Sequence, residues 1–123
     1  MQNEKCSLPR GKSFLEKIGL KYMFDWGSGV CVWTANDTGK ERFKDYPVET
    51  SLLPISEELK NHLEHLISWY DEALDWDNPG GDLLWSEKQI AAFMESYYKG
   101  YQDLCQELGD EYEVVMFCDK WPV

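Results

Sequence analysis

His62 and His65 are the only histidines in the chain, and a helix would set them one turn apart, where two imidazoles can share a metal ion. The HExxH arrangement of metalloproteases is missing, and no third ligand stands at a recognisable spacing. Both are read as surface histidines, and a small metal-dependent hydrolase using His62 and His65 is kept only as an alternative function. The four cysteines, Cys6, Cys31, Cys105 and Cys118, are too far apart for a CxxC metal or redox pair. Cys31 and Cys118 lie in apolar runs and Cys105 on the apolar face of a helix, where a thiol behaves as a small hydrophobe. The segment Asp75-Trp76-Asp77-Asn78-Pro79-Gly80-Gly81-Asp82 has the opening acids of a calcium loop, but Pro79 occupies a ligand position. Ser86 then stands where the bidentate glutamate belongs. Gly27, Gly29, Gly80 and Gly81 match neither a P-loop nor a dinucleotide fingerprint and read as turn glycines. No cofactor and no metal are expected.

The group that stands apart is Trp69, Asp71, Glu72, Asp75, Trp76, Asp77, Asp82, Trp85 and Glu87. It contains no lysine or arginine to orient a carboxylate substrate or hold an oxyanion, so its chemistry is that of binding rather than catalysis. Aromatic rings among carboxylates suit a basic protein partner: the rings supply burial, while the acids steer encounter and pair with Lys or Arg. The plainer reading makes the tryptophans core or helix-staple residues and the acids a solvated rim. Trp26 and Trp76, each among turn residues, fit a core role least.

Charge deepens the contrast. Residues 1–50 carry eight Lys/Arg against seven Asp/Glu, and residues 51–123 carry four against sixteen. Between Lys60 and Lys88 run 27 residues with seven acids and no basic side chain. Such a field disfavours nucleic acid and anionic membranes and favours basic partners. The start Met1–Lys5 lacks the basic and apolar stretches of a secretory signal. The longest apolar run, Val114 to Cys118, falls far short of the roughly 20 residues that span a bilayer. The expectation is a cytoplasmic, monomeric protein with reduced thiols.

These residues must be positioned by ordinary elements. At 123 residues, 43% of them hydrophobic, the chain suits a single α+β domain. Ser13-Phe14-Leu15-Glu16 has capping-box spacing for a short turn. Leu20–Asp25 and Val30–Thr34, joined by Trp26-Gly27-Ser28-Gly29, read as a hairpin. Asn36 or Asp37 caps a short helix through Phe43, ended by Tyr46-Pro47. Ser56 opens a helix with Leu59, Leu63, Leu66, Ile67, Tyr70 and Leu74 on one stripe. Ser86 and Gln89 form a capping box for a second long helix, with Trp85 and Ile90 at staple positions and Gly109 at its end. A strand over Tyr112–Cys118 completes a ββααβ order: a small antiparallel sheet with two long helices packed on one face.

The stretch Tyr22–Asp37 (YMFDWGSGVCVWTAND), Tyr46-Pro47, Leu53-Pro54-Ile55-Ser56, Trp69-Tyr70-Asp71 and Leu74-Asp75-Trp76-Asp77 resembles a known class. It is similar to the small acidic immunity proteins that bacteria encode beside polymorphic or contact-dependent toxins. The resemblance implies a non-enzymatic protein that binds and neutralises a toxin domain, often a basic nuclease, and it brings no catalytic residues. An acidic nucleic-acid mimic, regulating a nucleic-acid-binding protein, remains the other alternative, although its charges would have to line up at phosphate-like spacing.

If the compartment is reducing, alkylation under denaturing, non-reducing conditions should modify all four cysteines in a mass spectrum. An intact disulfide in freshly purified protein would contradict the cytosolic expectation.

Overall fold

Leu20, Tyr22 and Phe24 alternate with Lys21, Met23 and Asp25, which aims three apolar side chains to one side of an extended segment. The computed structural model, which describes residues 17–117, buries all three. Strand β1 (Ile18–Tyr22) pairs antiparallel with β2 (Val32–Thr34), Leu20 opposite Thr34 and Tyr22 opposite Val32. Both strands are shorter than their alternation implies. One further bond, from Met23 N–H to the Cys31 carbonyl at 2.9 Å, extends the pairing before the chain opens into a wide turn. Phe24 and Trp26 leave the ladder to pack on helix residues, while Asp25 and residues 27–29 form the exposed turn.

The sheet has four strands in the order β3-β2-β1-β4, with β3 (Pro47–Val48) antiparallel to β2. Strand β4 (Tyr112–Met116) runs parallel to β1, Ile18 opposite Tyr112 and Tyr22 opposite Met116. The α+β class stands, but the all-antiparallel sheet is corrected to a mixed one, and β3 is an addition. Alternation reveals which face a residue occupies and is the same for either strand direction, so the parallel pairing had no local signal. The predicted turn at Ser13–Glu16, Cys6 and Cys118 lie outside the described residues.

Three helices follow their caps. Asn36 opens α1 (Asp37–Phe43), its side-chain oxygen accepting the Gly39 N–H at 2.8 Å and the Gly19 N–H at 3.0 Å. Its amide nitrogen donates to the Lys17 carbonyl at 2.9 Å, so one side chain ties the helix to the start of β1. After a single 3-10 turn (Thr50–Leu52), the Ser56 hydroxyl accepts the Leu59 N–H and starts α2 (Glu57–Asp71). Both arms of the capping box form at Ser86 and Gln89, at 3.2 and 2.8 Å, and open α3 (Glu87–Leu108). No described helix is long and apolar enough to cross a membrane.

The apolar stripes of α2 and α3 meet the inner face of the sheet. Leu20, Tyr22, Val32, Val48, Leu63, Leu66, Phe93, Leu104 and Val114 are wholly buried there. The Tyr22 hydroxyl donates to the Tyr97 carbonyl at 2.8 Å and that of Tyr101 to the Val114 carbonyl at 2.9 Å, which satisfies both polar tips inside the core. Burial pushes the Tyr22 phenol well above its usual range, which keeps it a neutral donor. Gly100 makes this approach possible: a β-carbon there would stand 2.8 Å from the Tyr22 hydroxyl and 3.1 Å from a Leu66 methyl. On the outer face the Lys21 ammonium lies 5.2 Å from the Tyr46 ring and 5.4 Å from that of Phe117.

Because both arms of the box are made, Ser86→Ala should destabilise the protein by about 0.5–2 kcal/mol. A lowered melting temperature checks this, and an unchanged one would show that the cap adds nothing.

Candidate partner-binding face

The last turn of a helix leaves carbonyls without intrahelical partners and carries the negative end of the helix dipole. At the end of α2 two indoles answer those carbonyls. Trp26 stacks flat on Tyr70, centroids 4.9 Å apart and planes 8° from parallel, and its Nε1–H donates to the Tyr70 carbonyl at 3.0 Å. The Trp76 Nε1–H donates to the Asp71 carbonyl, also at 3.0 Å. The Asp71 carboxylate in turn accepts the Gly27 N–H at 3.0 Å. The hairpin turn and the acidic loop, far apart in sequence, thus meet at the end of α2.

Gly27 sits at the seam with φ of 81°, and a β-carbon there would lie 3.3 Å from the Trp76 ring. The loop beyond is stitched along its length. Asp77 N–H donates to the Asp75 carboxylate at 3.1 Å, Asn78 N–H to the Asp75 carbonyl at 2.9 Å, and Gly81 N–H to the Asn78 carbonyl at 2.9 Å. Leu84 N–H closes the loop on the Ala73 carbonyl at 2.8 Å.

The residues singled out from sequence divide here. Trp69 and Trp85 are half-buried against Phe93, each ring 5.2 Å from it, and are edges of the core. Asp71 and Asp75 are half-buried, with Asp71 bonded to the turn and Asp75 to its own loop. Glu72, Asp77, Asp82 and Glu87 are exposed. Trp76 keeps 56% of its surface exposed, and Leu84, not singled out before, keeps 60%. Trp26, expected to fit the core poorly, is half-buried and packs against it through Tyr70. The junction of turn and loop had only one hint in the sequence, two tryptophans in segments rich in turn residues.

Elsewhere, His62 faces Ser96 of α3, 3.3 Å from its carbonyl, while the His65 ring lies against Trp69 at 5.6 Å. The two imidazoles therefore serve different neighbours, and among the described residues no cluster of three His, Cys, Asp or Glu could hold a metal. Cys31 is fully buried and Cys105 half-buried, both as free thiols; burial, then the Glu64 charge, pushes the Cys31 thiol far up. A groove of about 400 Å³ lies beside α1, lined by Lys21, Thr34, Asn36, Asp37, Lys40 and Tyr46.

The mixed sheet lies under two long helices, and the end of α2 presents exposed acids beside the largely exposed Trp76. In a comparison with known families, the match is to immunity proteins of contact-dependent inhibition toxin systems. It spans residues 18–119, and the chain belongs to the family described as Serratia CdiI immunity protein-like. No curated protein matches it.

Gly27→Ala would place a side chain in the left-handed region and against Trp76, and should cost about 1–2 kcal/mol. Chemical denaturation followed by tryptophan fluorescence reports both the loss and any displacement of the indole.

Proposed function

We propose that this immunity protein acts by stoichiometric binding, without turnover, and that a basic toxin domain docks on the face formed by residues 69–87. The observation that carries the reading is the placement of the acid-only stretch on a stitched loop at the negative end of α2. Asp71 and Glu72 stand where a helix ordinarily gains from Lys or Arg, and α2 has no basic residue in its last turn. A basic partner supplies the missing positive charge. The same field steers a cationic domain toward this end of the molecule and repels nucleic acid and anionic membrane. The protein works in this reading as a cytoplasmic monomer whose bound toxin is occluded.

The test is charge reversal with the toxin domain encoded beside the immunity gene as the probe. Asp75→Lys, Asp77→Lys and Asp82→Lys together should slow association and weaken affinity by about 2–5 kcal/mol. Asp77 and Asp82 are exposed, and surface substitutions shift stability by only about 0.5 kcal/mol each, so any larger drop in melting temperature comes from Asp75, which is half-buried and accepts the Asp77 N–H. Unchanged affinity in a folded triple variant would remove the interface from this loop.

A further inference from the structure

Trp76 is held in an unusual way for so exposed an indole. Its only polar atom is already engaged, since Nε1–H donates to the Asp71 carbonyl, and one end of the ring abuts Gly27. Among the described residues no aromatic ring stacks on it and no Lys or Arg lies over it. What the ring offers a partner is therefore its π face and apolar edge, with no hydrogen bond left to give. That face stands at the C-terminal end of α2, between Glu72 and Asp75 on one side of the sequence and Asp77 on the other. A ring quadrupole, a helix dipole and several carboxylates all favour the same ligand, a cation.

We infer that Trp76 is the seat of one cationic side chain of the toxin, a guanidinium or ammonium group stacked on the indole and paired with the flanking carboxylates. The inference rests on the binding reading above and narrows it to one ring and one kind of group. Arginine fits best, because its planar guanidinium stacks on an aromatic face while its edge N–H groups remain free for carboxylates. The geometry is set in advance: the indole is fixed by Asp71, Asp71 by Gly27, and the hairpin turn by Trp26 on Tyr70. Little freedom is left for the receptor side to lose on binding.

The experiment compares Trp76→Phe with Trp76→Leu, using the toxin domain encoded beside the immunity gene. Both variants lose the bond to Asp71 and both keep an apolar side chain, so that shared loss cancels and the π face is what differs. Trp76→Phe should weaken affinity only about 3-fold, and Trp76→Leu about 10- to 30-fold. Each Arg and Lys of the toxin domain is then replaced by Met in turn. One such variant should lose affinity against the wild-type protein and lose little more against Trp76→Leu, the non-additivity expected of two groups in contact. Equal losses for Phe and Leu would make Trp76 a plain apolar anchor and overturn the inference. So would strict additivity with every Arg and Lys, or no loss at all. If these results come while the triple aspartate reversal still abolishes binding, the acidic face stands and only the cation seat falls. If the reversal is also silent, the face itself is wrong.

Discussion

The carbonyls that end α2 must find donors, because a helix terminus cannot be left unsatisfied beside a packed core. Backbone N–H groups of Glu72, Ala73 and Leu74 reach the Trp69, Tyr70 and Asp71 carbonyls, and the indoles of Trp26 and Trp76 give the last two a second donor. Most of the surface around the acidic loop follows from that solution. Trp26 can reach Tyr70 only if the hairpin turn folds over the helix end, which takes residues 24–30 out of the ladder. Trp76 can reach Asp71 only if the loop doubles back, which the bonds around Asp75 and Asn78 accomplish. At Gly27 the turn comes against the Trp76 ring.

How much of this could be read from the chain depended on whether the signal was local. Caps are local: Asn36, Ser56 and the Ser86–Gln89 box each mark a helix start that the structure keeps. Strand faces are local too, and Leu20, Tyr22 and Phe24 point inward as their alternation requires. Strand direction is not, and β4 lies parallel to β1 because of the path the two helices take between them. The candidate face shows the same division. Its acids and tryptophans were visible as a composition, while the burial of Trp69 and Trp85 against Phe93 depended on where α3 packs. The joining of the Trp26 turn to the Trp76 loop depended on a bond spanning from Gly27 to Asp71.

Membership in an immunity-protein family gives these features a common purpose. A protein that must recognise one partner needs a surface that holds its shape before contact, since ordering a loop during binding weakens the complex. Here the acidic loop is held by its own backbone bonds and by the helix end, and among the described residues no ion pair neutralises its charges. In the proposed binding mode, specificity would come from where the acids stand around the Trp76 ring, and speed from the field they share.

The parallel pairing of β1 with β4 also bears on the history of each molecule. β1 is made before both long helices, yet one of its two neighbours in the sheet is the final strand described, on their far side. Closing so long a loop is entropically slow, and until it closes one edge of β1 lacks its cover. The sheet therefore cannot be completed before α3 has been made. Newly made chains pass through an interval in which α2 and its acidic end exist without the strand that locks the core behind them.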